Sequence, residues 1–317
     1  MNSNPKKRTM YYGKGDVLVY RTYAKRLSGV KSIPESTFTG HDNVIFALNV
    51  KFAVYGEQLL TSFTEGDNTR VVATDSMKNF ILRHSALFTG ETIEGFLSFI
   101  GQRFLEKYAH VDSISISGDR IPFDPIMVPG KDEWTDSGLV YRRSHNDHTS
   151  ARMEIERSEN GSGTTITSHI CGLTDLQLIK VSGSSFYGFI RDEFTTLPES
   201  YDRPLYIYLN ILWEYNDISD AITEDISSYV PAEQIRDIAQ TVFHEFKTPS
   251  IQFLIYQIGL RILSRFPQLV EVRFESNNRT WETVIETIGH SEGKVFTEAR
   301  PPFGFQGFSM TRDDLKE

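Results

Sequence analysis

Two stretches of the chain place apolar residues on the same helical template at a fixed interval. Ile93, Phe96, Leu97, Ile100 and Phe104 follow the i, i+3, i+4, i+7 spacing of a helix that buries one face. Ile251, Leu254, Ile255, Ile258 and Ile262 repeat that template 158 positions later. A second helix is predicted ahead of each, over 76–87 and over 232–246, the latter with Ile235, Ile238, Ala239 and Val242 on one stripe. After the template helices the period changes to two. Ile114 and Ile116 alternate with serine, and Val272 and Phe274, again 158 positions on, alternate with charged residues. A duplicated unit accounts for the common offset.

The remaining patterns are those of strands and turns. Strands are predicted at 16–24 and 44–54, with 58–64 leading across the Gly66-Asp67-Asn68 turn signal to a short strand at 70–73. In the second half, 151–157 and 164–169 bracket the hairpin signal Asn160-Gly161-Ser162-Gly163. Runs of strands beside grouped helices predict an α+β fold with antiparallel sheet and helix pairs on one face. The division into two domains is placed near Asn146, giving 1–146 and 147–317. The segment 28–40, rich in Ser, Pro and Gly, reads either as a loop reaching across an interface or as a solvated one.

Composition narrows the function classes. The 317 residues are 39% hydrophobic and 24% charged, the balance of a globular chain with room for a large core. No apolar run has the length of a membrane span, and Met1 to Thr9 is polar and basic, which points to a cytoplasmic protein. The net charge of −9 and the short, isolated basic clusters Lys6-Lys7-Arg8 and Arg142-Arg143 argue against nucleic acid as a partner. An acidic chain that binds a small anion needs a local cationic site, so single Arg and Lys residues matter most. Cys171 is the sole cysteine, which excludes an intrachain disulfide and a thiolate metal cluster; it reads as a small packed residue. Of eight histidines only His145-x-x-His148 has a ligand-like spacing, and in a polar loop a solvated pair is preferred over a metal site. No metal is expected.

Candidate chemistry gathers in five places. Val71-Val72-Ala73-Thr74-Asp75-Ser76 runs from apolar residues into three oxygen side chains where a helix begins, which suits a helix cap or a site for an anion or proton transfer. Lys14 lies between Gly13 and Gly15 ahead of a strand, either as a solvated turn lysine or as a cation on closely approaching backbone. The span from Phe186 through Phe189, Arg191 and Phe194 to Tyr201-Asp202-Arg203 combines aromatic faces with planar guanidinium groups, as a flat polar ring requires and as an aromatic core with surface ion pairs also would. Ile251 and Gln252 open a helix behind Thr248-Pro249-Ser250, and Asn277-Asn278-Arg279-Thr280 follows the last clear strand, where a turn is the default.

Together these segments resemble the urate oxidase (uricase) family. The carriers are Tyr12-Gly13-Lys14, Val72 to Ser76, Phe186-x-Gly188-Phe189-x-Arg191-Asp192-Glu193-x-Thr195-Thr196-Leu197, Asp202-Arg203 and Ser250-Ile251-Gln252, in the family's order over about residues 11–296. The resemblance, closest to the bacterial members, implies a tandem pair of tunnelling-fold domains, each a four-stranded antiparallel sheet with two helices on one face. It implies a homotetramer with active sites at subunit interfaces. The implied reaction oxidises urate with dioxygen to 5-hydroxyisourate and hydrogen peroxide, with no metal or organic cofactor. Carried over by position, Phe186 stacks under the purine, Arg203 and Gln252 clamp it, Ile251 offers a backbone N–H, and Asn278 holds dioxygen or water above the ring. Thr74, with Asp75 beside it at the substrate, and Lys14 form the proton relay from a neighbouring subunit. One position departs from the pattern: many members carry His two residues after that Asn, and this chain has Thr280. A hydroxyl passes a proton but does not store charge as an imidazole does, which leaves the relay's route open. Other tunnelling-fold chemistry on purines or pterins, and a non-catalytic purine-binding protein, remain alternatives. The tail from Pro301 to Phe305 carries aromatics suited to docking on a neighbour, and the C-terminus lacks a peroxisomal tripeptide.

Overall fold

The computed structural model describes residues 9–130, 133–143, 145–158, 163–279, 283–291, 293–297 and 302–316. Its main sheet has eight antiparallel strands in chain order: β1 (Tyr11–Thr22), β2 (Ile45–Tyr55), β3 (Ser113–Arg120), β4 (His148–Arg157), β5 (Thr164–Phe186), β6 (Ser200–Tyr215), β7 (Leu269–Arg279) and β8 (Gly304–Thr311). Helices α1 (Thr74–Ser85) and α2 (Ile93–Lys107) lie between β2 and β3, and α3 (Ala232–Glu245) and α4 (Ile251–Arg265) between β6 and β7. Each half is therefore two strands, two helices and two strands, as the α+β reading expects. α2 and α4 begin and end 158 residues apart.

Each unit has its own core. Val50 and Phe52 of β2 meet Phe80 of α1 and Phe96 and Phe104 of α2 in the first; Ile207 and Ile211 of β6 meet Ile238 of α3 and Ile258 of α4 in the second. The helix ends repeat as well. Thr92 and Ser250 cap α2 and α4 by accepting from Gly95 N and Phe253 N, both at 3.1 Å. Arg157 donates to the carbonyls of Leu105, Tyr108 and Val111 beyond α2, and Arg312 to those of Leu263, Phe266 and Leu269 beyond α4. These carbonyls are equivalent positions of the repeat, and an arginine fork satisfies acceptors the helix leaves unpaired.

The unit boundary shifts from its predicted place. Met153 and Ile155 of β4 pack in the first core, and β4 pairs with β3 as β8 pairs with β7. The division at Asn146 thus falls one strand early, and the β4–β5 hairpin joins the units. A hairpin signal shows that two strands pair, not which core they face; its residues 159–162 lie outside the described residues. Three other expectations change. Residues 58–64, placed among the strands, are helical instead, in short turns over Glu57–Leu59 and Leu60–Thr64. Residues 70–73 form no strand, because Val72 N is satisfied by the Tyr12 hydroxyl at 2.8 Å rather than by a neighbouring strand. Asn277 and Asn278 continue β7, paired with β6 and β8, rather than turning.

The 28–40 loop reaches across the two units within the chain. Leu27 and Val30 join the second core, Gln234 of α3 donates to Lys31 O and Phe38 O, and buried Glu35 meets Arg261 at 2.9 Å and Arg265 at 2.8 Å. The two guanidinium groups hold the Glu35 carboxyl down at about 2. The docking expected of the 301–305 tail falls partly outside the described residues, and its remainder leads into β8.

Candidate functional site

In the first unit, the relay residues sit where β1 meets the start of α1. Gly13 is required there: a Cβ on it would lie 1.9 Å from Phe52 O on β2. The ladder shifts register between Lys14 and Val17, a bulge that re-aims the Lys14 side chain. Tyr12 ties β1 to the segment before α1 through its bond to Val72 N. Thr74 is the first helical residue, and the N-cap, Ala73, makes no side-chain bond. The capping role open to the Thr74 hydroxyl is therefore not taken. Asp75 binds Lys78 at 2.6 Å and Asn79 at 2.9 Å, and these partners, with the charge of Lys14 nearby, lower its pKa.

In the second unit, the clamp residues meet at the far end of β5 and β6. The Arg203 guanidinium lies 5.5 Å over the Phe186 ring, which Phe189 backs in a stack at 4.9 Å. Among the described residues no carboxylate pairs with Arg203, and its Nε is buried without a partner. Burial pushes its pKa down. A half-buried cation with a buried, unsatisfied donor beside an aromatic face is arranged for an anionic planar ligand. The start of α4 is tied to this corner: Ser185 N donates to Thr248 O at 2.8 Å, and Thr248 N to Gly183 O at 3.0 Å. Ser250 spends its hydroxyl on Phe253 N, and helix geometry leaves the N–H groups of Ile251 and Gln252 without intrahelical acceptors. Gln252 is exposed. Asn278 on β7 accepts from Gln306 Nε2 at 3.4 Å.

The structure thus brings Phe186 and Arg203 together, links them to Ile251 and Gln252, and places Lys14 close enough for its charge to act on Asp75, the residue after Thr74. It does not join the two groups. They lie on different units, four or more strand intervals apart, on the order of 20 Å along the sheet. Thr280 lies outside the described residues. Elsewhere, a cavity of about 500 Å³ is lined by His41, Arg120, His145, Asp147 and Arg236 and holds none of the candidate site residues. There His145 pairs with Asp124 and Asp147, and His148 with Thr174, so this histidine pair serves local polar contacts. Among the described residues, no three His, Cys, Asp or Glu side chains gather to hold a metal, and no helix is long and apolar enough to cross a membrane.

Known proteins are similar to this chain along nearly its whole length. A family model described as Uricase matches residues 10–154 and 169–306. The chain belongs to the uricase family. It is 52% identical to the uricase of Haloferax volcanii over 311 residues, covering 97% of this chain and 100% of that protein. It is 55% identical to the uric acid degradation bifunctional protein of Bacillus subtilis over 98% of this chain, and spans 63% of that longer protein. The crystal structure of a uricase from Bacillus fastidious superposes with a TM-score of 0.94 at 56% identity, covering 98% of this chain and 96% of that one. The uricase fold is therefore the fold of this chain, and the two tandem units are its tunnelling-fold domains.

Sequence reasoning passed over three residues at the clamp. Thr248 was visible only as part of a helix start, Asp202 only as the neighbour of Arg203, and Ser184, whose buried hydroxyl has no partner, carried no signal at all.

Proposed function

We propose that this chain oxidises urate with dioxygen and water to 5-hydroxyisourate and hydrogen peroxide, in the cytoplasm, as a homotetramer with sites shared between subunits. The observation that carries the reading is the half-buried Arg203 over Phe186, with no carboxylate partner among the described residues, tied by Thr248 to the open start of α4. Urate is a planar anion at neutral pH; Phe186 supplies a face, Arg203 and Gln252 paired hydrogen bonds, and the Ile251 N–H one more. Lys14 and Thr74 take the further proton that makes the dianion, and Asn278 holds dioxygen or water over the ring. Two electrons pass from the dianion to dioxygen, which leaves as hydrogen peroxide after taking two protons. Water then adds its oxygen at C5. The purine supplies the electrons itself, so this chemistry calls for no cofactor.

The internal repeat supports a site built from two subunits. At the start of α2, the β6–α3 connection of the same chain forms a cover: Thr92 Oγ1 donates to Ala221 O at 2.8 Å, and the Tyr229 hydroxyl reaches Glu94. Ala221, Tyr229 and Ala232 correspond in the repeat to Phe63, Val71 and Thr74. Within one chain that corresponding segment leaves Phe63 56% exposed, while Gln252, the counterpart of Glu94, is open. Placing residues 63–74 of a second copy over α4 repeats the cover between subunits and delivers Thr74 and Lys14 to Arg203 and Gln252. The free edges of β1 and β8 offer the unpaired backbone through which copies join.

The test is the decay of urate absorbance with stoichiometric peroxide release by the assembled protein. Binding without turnover would support a purine-binding protein instead, and unchanged turnover by Lys14→Met or Thr74→Ala in correctly assembled protein would remove the relay.

A further inference from the structure

We propose that Asp202 is a positioning residue for the clamp: its carboxylate fixes the β5 bulge that sets Phe186 and Arg203 relative to the start of α4. This rests on the reading of Phe186 and Arg203 as urate's partners. The β5–β6 ladder shifts register on both sides of Arg203, which pairs with Ser184 while Leu205 pairs with Lys180. The extra residues of β5 bulge at Gly183, whose φ of +86° favours glycine. Such a bulge turns backbone N–H groups away from the ladder, and Asp202 collects them. Its oxygens accept from Gly183 N at 2.6 Å and from Ser182 Oγ at 2.9 Å, with the Ser184 N–H adding to the bonds that hold its pKa down.

The other side of the bulge belongs to Thr248. Gly183 O accepts from Thr248 N, and Ser185 N returns a bond to Thr248 O. Asp202 and Thr248 therefore grip one short segment, 182–185, sharing Gly183, from β6 and from the segment ahead of α4. Phe186 follows directly, Arg203 is the next residue after Asp202, and Ser250 to Gln252 begin two residues beyond Thr248. One carboxylate thus keeps stacking ring, guanidinium and helix start in one frame. Charge-assisted bonds to backbone N–H groups are strong and directional, which suits a carboxylate to this role. The side chain is exposed and its oxygens are engaged by the bulge, so its effect passes through the bulge.

The experiment compares Asp202→Ala, Asp202→Asn and wild type by urate kinetics, and by amide hydrogen exchange of residues 182–186, in assembled protein. Asp202→Ala is expected to raise KM for urate about tenfold while kcat falls less than about threefold, because the relay is untouched. Asp202→Asn, which keeps one acceptor oxygen, is expected to recover part of that loss. Exchange at Gly183 and Ser184 is expected to accelerate in the same order. An unchanged KM together with unchanged exchange would overturn the proposal, as would equal losses in kcat and KM effects that track only the melting temperature. If wild type fails to turn over urate, the functional reading fails, and the exchange arm alone decides whether Asp202 holds the bulge. If Asp202→Ala does not assemble, Ser182→Ala replaces it and is expected to give a smaller change of the same kind.

Discussion

Glu94 and Gln252 occupy the same position of a duplicated unit and meet opposite surroundings. Both follow the first residue of a helix with a capping hydroxyl, Thr92 or Ser250, and both helices are 15 residues long. Glu94 is fully buried under Tyr229 and beside Cys171, with one oxygen left without a partner, and burial pushes its pKa up to about 7. Gln252 is open beside an unpaired arginine. Helix starts carry exposed N–H groups and a positive end, so both are ready anion sites by backbone geometry alone. What separates them is cover: the chain closes one with its own β6–α3 connection and leaves the other open, the place the proposed site gives to urate and a second copy. Duplication thus gives two slots, and the connection ahead of each helix pair decides which slot stays open.

The comparison breaks first at the open slot. Arg203→Ala is expected to lower kcat/KM for urate at least about 10²-fold, since a half-buried planar clamp and its charge are lost together; a change under threefold would remove Arg203 from the site. Next is the clasp that holds the two units in register. Glu35→Ala removes the carboxylate that holds Arg265 and one of the two that hold Arg261, and is expected to cost about 3 kcal/mol in denaturant unfolding. The wild-type pair is a depressed carboxylate, so its contribution is present above about pH 4.5 and fades as pH falls toward about 2.

The closed slot gives a smaller, signed effect. Glu94 stays protonated in the fold up to about pH 7, whereas the unfolded chain releases that proton near 4.5, so stability falls as pH rises between these values and levels above them. Glu94→Gln copies the residue of the second unit. It is expected to flatten that fall and to be more stable at pH 8 by roughly 2 kcal/mol, with the gap closing at about pH 4.5; parallel pH profiles would contradict the buried carboxyl with one oxygen left unsatisfied. Smallest is the cover itself: Phe63→Ser is expected to raise KM a few-fold and weaken assembly, read by dilution-dependent activity.

The repeat and the apolar helix faces were legible because burial of one helical face imposes a period on the sequence. Residues whose partners are main-chain atoms were not. Val72 looked like strand because its pattern is apolar and β-branched, yet a tyrosine hydroxyl from β1 takes its N–H. Asp202 acts on the amides of a bulge, and no side-chain pattern marks a bulge. Glu94 carried no signal, since nothing local shows that residues over 120 positions later will cover it. The clamp residues were found through family motifs, while the reason for their placement, the Thr248 tie and the uncovered α4 start, appears only in three dimensions.

The central claim is that relay and clamp come from different copies of the chain, and mixed assembly tests it most directly. Lys14→Met and Arg203→Ala chains, each inactive alone, are combined by co-refolding and assayed for urate turnover. Shared sites predict recovery of about a quarter of the wild-type rate, because one in four random pairings unites an intact relay with an intact clamp. No recovery in mixtures shown to contain both chains would contradict the account.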